Sequence, residues 1–266
     1  MESLGVNTDF LSVLGGLIVG LVLGLVGGGG SILAVPLMIY GVGIPSVHVA
    51  IGTSAVAVSL NALANLIIVI RRGLVKWRCA LVFAGSGMLG SLAGSHLALM
   101  MDGKKLLFLF GGLMLGVGSL MLAKKNAEGD ASVRLTRSTA RYMLPRLVST
   151  GLAVGLLAGF FGIGGGFLIV PGLMFATGMP IAYAIGSSLV GVTAFGITGA
   201  SAYAFAGLVD IRIVLFFLGG GVLGSAIGQT IGSRILPYKS VTQTIFAGLV
   251  VFVGMFIVFQ SFNART

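Results

Sequence analysis

Long stretches of nearly uninterrupted apolar residues constrain this chain more than anything else in it. They run Leu11 to Val26, Val47 to Ile70, Cys79 to Met101 and Leu106 to Ala123, then Leu147 to Phe161, Ile181 to Ala206, Ile213 to Ile231 and Val241 to Phe259. Several reach the roughly 18–20 residues that a helix needs to cross a bilayer. A water-soluble protein would alternate them with charged faces, yet only 8% of residues are charged and 57% are hydrophobic. The expected fold class is therefore an all-α membrane protein, a multi-pass helical bundle of about eight transmembrane helices. The N-terminal MESLGVNTDF has no Lys or Arg, unlike the basic start of a signal peptide, so the first helix is expected to be retained. Cys79 is the one cysteine, which excludes an intramolecular disulfide and multi-cysteine metal sites.

A formal charge of +10 invites a nucleic-acid reading, but the basic residues lie in the connections between apolar stretches. Arg71, Arg72, Lys76 and Arg78 form one cluster; Lys124, Lys125, Arg134, Arg137, Arg141 and Arg146 form another. Positive-inside bias and an anionic lipid surface account for both, with no nucleic acid required. All six acids, Glu2, Asp9, Asp102, Glu128, Asp130 and Asp210, also fall at ends or in connections. No intramembrane carboxylate is expected to hold Na⁺ or relay protons, which favours an anionic substrate.

The chain repeats itself. Gly20 to Pro45 matches Gly155 to Pro180 at an offset of 135, with 11 of the 26 positions identical, and the match continues at an offset of 134. Gly52-Thr53-Ser54 then meets Gly186-Ser187-Ser188, and Gly73-Leu74-Val75 meets Gly207-Leu208-Val209. This predicts a first membrane repeat over 1–123, a basic cytoplasmic linker over 124–145 and a second repeat over 146–266. Paired repeats are a common plan of secondary transporters, whose substrates sit near the bilayer midplane where the repeats meet.

Each repeat opens with an apolar arm, a glycine cluster and a second, short apolar arm. Consecutive glycines break a helix, and in hydrocarbon the freed N–H groups must find partners in protein or a polar cavity. The candidate substrate-binding residues are Gly28, Gly29, Gly30 and Ser31 in the first cluster, and Gly164, Gly165 and Gly166 in the second. Their backbone donors, at the start of a following helix, suit an anion. Tight helix packing is the competing explanation of the same glycines. Thr53, Ser54, Ser187 and Ser188 offer hydroxyls at equivalent positions, against the alternative of ordinary capping or bonding back to the helix. Ser54, Asn61 and Asn65 fall on one helical stripe, and Asn61 joins the candidate site, with gluing of helices as its alternative. The second repeat has Phe195 and Gly199 at the amide positions, so the polar lining is expected to be asymmetric.

The pattern GxxGxGGGxxxxP at Gly159, Gly162, Gly164 to Gly166 and Pro171 resembles the TauE/SafE family of sulfite and organosulfonate exporters. The first half carries it as Gly24, Gly27, Gly29, Gly30 and Pro36, departing at Ser31. Ala184 to Ser188 and Ala50 to Ser54 extend the likeness, which covers essentially the whole chain. The resemblance implies a multi-pass protein of the cell inner membrane that moves a small anion such as sulfite or a related organic acid. Export is the expected direction; an uptake permease or channel for the same anions is the alternative, with an intramembrane enzyme a remote third. The last rests on Gly85-Ser86-Gly87 with His48 and His96, yet Ser86 becomes Gly220 in the second repeat. No catalytic residue, metal or cofactor is expected. The expected partners are the anion and membrane lipids, with the coupling ion and any homo-oligomer left open.

The basic residues leave two topologies. If each broken segment crosses the membrane, the large clusters share a side with both termini. If it turns back, the termini lie outside and the halves are inverted. In both, 12 of the 16 basic residues lie inside. Inversion is favoured, because an acidic N-terminus suits the outside and inverted repeats suit alternating access.

Overall fold

The computed structural model describes residues 2–123, 137–162, 166–235 and 239–263. Helix α1 spans Glu2–Val26; a buried 3₁₀ segment (Gly27–Leu33), a single helical turn α2 (Ala34–Pro36) and a π turn (Leu37–Gly41) follow. Then come α3 (Val47–Arg71), α4 (Trp77–Leu99) and α5 (Gly103–Ala123). The second half holds α6 (Arg137–Phe161), short α7 (Gly166–Thr177), α8 (Ile181–Phe205), α9 (Ile211–Ile235) and α10 (Lys239–Asn263). Helix α6 thus begins at Arg137, within the segment read from sequence as linker, and contains Pro145. Among the described residues, seven helices are long and apolar enough to cross a membrane, and α10 adds an apolar stretch over Val250–Gln260. The protein is a multi-pass helical membrane protein. Leu89, Leu215, Leu223 and Phe252 are exposed on its flanks, a liability in water but the ordinary state of a lipid-facing surface.

Glycines decide how the helices pair. Gly16, Gly20 and Gly24 of α1 abut the backbone of Phe217, Gly221 and Ser225 of α9, so these helices run side by side in one direction. Gly151, Gly155 and Gly159 of α6 abut Phe83, Gly87 and Ser91 of α4 in the same way. At each contact one helix's missing Cβ admits the other's carbonyl, the close approach that small residues permit in a membrane. The first helix of each repeat is therefore partnered by a helix of the other repeat.

The same contacts fix direction. Thr53, Asn61 and Asn65 of α3 meet Asp210, Gly221 and Gln229, so α3 is also parallel to α9. Short turns reverse the chain between α3 and α4, between α4 and α5, and between α8 and α9. Hence α1, α3, α5 and α9 point one way, and α4, α6 and α8 the other. Helix α10 is antiparallel to α5, with Gly111 beside Val258 and Gly118 beside Val251. Each element of the first repeat opposes its counterpart, so the repeats are inverted. Since α1 and α3 are parallel, the segment between them must turn back rather than cross.

Symmetry extends to the backbone itself. The positive-φ glycines fall into repeat-related pairs, Gly27 with Gly162, Gly43 with Gly178 and Gly73 with Gly207. At Gly27 (φ +69°) and Gly162 (φ +62°) the chain breaks away from α1 and α6, a conformation that only glycine adopts cheaply.

Candidate functional site

The two broken segments meet between the repeats. A Cβ on Gly166, the first residue of α7, would lie 2.7 Å from Gly28 Cα, so the start of α7 rests on the first glycine cluster. Gly28 N–H donates to Ser188 Oγ of α8 at 3.2 Å, and Ser188 Oγ donates to Ile185 O at 2.7 Å. Ser31 Oγ donates to Gly28 O at 2.8 Å. On the other side of the pseudo-twofold, Ser54 Oγ donates to Ile51 O at 2.9 Å and to Gly162 O at 3.4 Å. Gly28 to Ser31, Ser54 and Ser188 are all buried. Each broken segment is thus tied by a serine of the other repeat.

Not every predicted residue joins this junction. Gly164 and Gly165 lie outside the described residues. Gly30 is packed against α1, where a Cβ would lie 2.6 Å from Leu23 Cα; the packing explanation holds at that position. Thr53 and Ser187 face the reversing turns instead: Thr53 Oγ1 accepts from Asp210 N at 3.0 Å, and Ser187 Oγ accepts from Lys76 N at 2.9 Å. Asn61 sits against Gly221 of α9, fully buried, with neither side-chain atom paired to protein. Sequence reasoning missed Gln229, which donates from Nε2 to Asn65 Oδ1. A lone glutamine in an apolar stretch was its one signal.

The turns held by Thr53 and Ser187 differ in charge. Lys76 and Asp210 are equivalent at the offset of 134, yet one is basic and the other acidic. Lys76 Nζ lies 4.3 Å above the Tyr183 ring at its end of the bundle. At the opposite end Val49 replaces Tyr183, and a cavity of about 370 Å³ opens beside it, lined by Gly43, Pro45, Ser46 and Asp210 among others. Asp210 Oδ1 accepts from Ile213 N at 3.2 Å, capping α9.

The histidines and Ser86 have structural partners. His48 Nε2 lies 3.1 Å from Met101 O, and His96 Nδ1 lies 2.9 Å from Leu92 O of its own helix. Ser86 Oγ donates to Phe83 O at 3.1 Å, as serines in membrane helices do.

Inverted repeats with broken segments meeting between them define the architecture of a membrane transporter. The family described as sulfite exporter TauE/SafE matches residues 12–257, and the chain belongs to it. A Xylella fastidiosa protein named "Probable membrane transporter protein" is 46% identical over 93% of each chain. One of the same printed description from Bacillus subtilis is 26% identical over 86% of this chain and 92% of its own. Another from Methanocaldococcus jannaschii is 26% identical over 85% and 87%. No solved structure matches the chain. The protein is a transporter of this family and not an enzyme.

Proposed function

We propose that the protein exports a small oxyanion, such as sulfite, an organosulfonate or a related organic acid, across the cell inner membrane. The observation that carries this reading is the meeting of Gly28 with Gly166 between inverted repeats, tied by Ser188. Backbone N–H groups of the first cluster and of the start of α7 supply donors for an anion's oxygens, joined by the hydroxyls of Ser31, Ser54 and Ser188 once these rotate away from the carbonyls they bond in the closed arrangement. Of the described acids, Asp102 and Asp210 lie in turns, and Asp9, near the start of α1, is paired with Arg212. Gly28 N–H is occupied by Ser188 Oγ, so this is a closed arrangement that the substrate opens by replacing that hydroxyl. Exchange of roles between the repeats then gives alternating access.

Charge supports the direction. The last residues of α3, α5 and α9 and the first of α4, α6 and α10 lie at one end of the bundle, with Arg71, Arg72, Lys76 and Arg78 at the junction of α3 and α4. Positive-inside bias makes that end cytoplasmic and puts both termini outside, with anionic lipid headgroups as the basic end's partner. Lys76 would then attract anions at the inner entrance while Asp210 repels their return at the outer one. The test is sulfite and sulfoacetate flux in oriented proteoliposomes against empty vesicles. Export-directed flux of either supports the proposal; flux confined to uptake reverses the direction, and failure to move any small oxyanion refutes it.

A further inference from the structure

Three buried amides occupy the parallel seam between α3 and α9: Asn61 and Asn65 are 0% exposed and Gln229 is 5% exposed. Asn65 Nδ2 donates to Asn61 O at 3.1 Å, and Gln229 Nε2 donates to Asn65 Oδ1. Asn61 Nδ2, Asn61 Oδ1 and Gln229 Oε1 have no protein partner. Leaving such groups unpaired in a membrane interior is costly, and a seam of this kind persists where it has a ligand to recognise.

The repeat supplies an internal comparison. At the equivalent seam between α4 and α8, Asn61 becomes Phe195, Asn65 becomes Gly199 and Gln229 becomes Ser95. There Phe195 stacks on Phe83 with ring centroids 6.0 Å apart, Ser91 Oγ donates to Phe195 O at 2.9 Å, and Ser95 Oγ donates to Leu92 O at 3.0 Å. One architecture therefore holds together through apolar packing and satisfied hydroxyls. The amides are not required to join the helices.

The amide seam adjoins the glycine junction. A Cβ on Gly24 would lie 2.8 Å from Gln229 N, and Gly28 follows Gly24 in the chain just past the break at Gly27. Resting on the anion reading above, we propose that Asn61, Asn65 and Gln229 form the specificity-determining part of the substrate path and select an oxyanion that carries an O–H group, such as hydrogen sulfite. Asn61 Nδ2 donates to one of its oxygens, and its O–H donates to Gln229 Oε1 or Asn61 Oδ1. An anion of equal charge without an O–H satisfies the donor and leaves the acceptors bare.

The experiment compares Asn61→Leu and Gln229→Leu with Phe195→Leu, their counterpart in the other seam, in the full-length protein. Melting temperature in detergent is measured without anion, and proteoliposome flux is measured for mildly acidic sulfite and for methanesulfonate. Wild type should prefer hydrogen sulfite to methanesulfonate. Asn61→Leu should hold or raise the melting temperature, since it removes unpaired polar atoms, and cut hydrogen sulfite flux by about tenfold, the worth of one buried hydrogen bond. Gln229→Leu should erase the preference, and Phe195→Leu should lower melting while keeping it. An Asn61→Leu variant that melts as low as Phe195→Leu and transports like wild type per folded molecule would overturn the proposal. If wild type moves neither anion, the oxyanion reading fails; lowered melting of Asn61→Leu would then separately identify the amides as helix glue, and raised melting would keep them as a ligand site.

Discussion

Replacing Gly20 by alanine should damage the fold although it adds a single methyl to a helix. The new Cβ would lie 2.7 Å from Gly221 Cα and closer still to the Gly221 carbonyl oxygen. Two carbons meet comfortably at about 3.5–4.0 Å, so α1 and α9 would have to part by about 1 Å. The seam cannot open at one point alone, because Gly16 and Gly24 on one side and Gly220, Gly224 and Gly228 on the other make the same close approach. Overpacking of this kind costs about 1–3 kcal/mol. Gly219, one residue from the seam, is exposed and has nothing within 4 Å of its ideal Cβ. Alanine there should stabilise by about 0.5–1 kcal/mol through helix propensity alone. The assay is thermal melting of both variants in the same detergent, read as shifts of opposite sign. Equal shifts, or a destabilised Gly219→Ala beside an unaffected Gly20→Ala, would refute the pairing of α1 with α9.

Ser188→Ala removes the acceptor of Gly28 N–H and should lower stability by about 1 kcal/mol, with a larger fall in transport, measured by melting and flux on one preparation. Gly166→Ala should prevent the two broken segments from meeting, so the purified protein should melt earlier and lose transport of every anion alike. With Cys79 replaced by alanine, a cysteine at Ser3 should react with an impermeant reagent in intact cells; labelling only after lysis would reverse the orientation. The Arg212–Asp9 pair, 2.7 Å apart with Arg212 65% exposed, is screened by solvent, so Asp9→Asn should leave melting nearly unchanged.

Much of this was legible in the sequence, for physical reasons. Apolar length reports membrane crossing because hydrocarbon thickness fixes it, and the repeat offset reports equivalent geometry, seen again in the paired positive-φ glycines. The direction of the repeats was not fixed by composition, since both topologies place the same number of basic residues inside. It needed contacts such as Gly20 with Gly221, which join residues 201 positions apart. The glycine cluster was read as one donor surface, but its members divide: Gly28 faces Ser188 and Gly30 fits against Leu23. Nothing local tells a glycine which neighbour it will meet. Thr53 and Ser187 likewise looked like substrate hydroxyls, and they hold the turns of the opposite repeat.

The exchange of partners between repeats has a consequence for synthesis. Helix α1 ends at Val26, and its mate α9 is complete only at Ile235. At about 5–20 residues per second, α1 waits roughly 10–40 s in the bilayer before its glycine face is covered. A soluble protein with so exposed a surface would be at risk of aggregation; lipid solvates it in the meantime. The two halves of the gene product are thus obligate partners: a truncated chain ending after α5 would insert, yet leave α1 without its mate until the missing half was supplied separately.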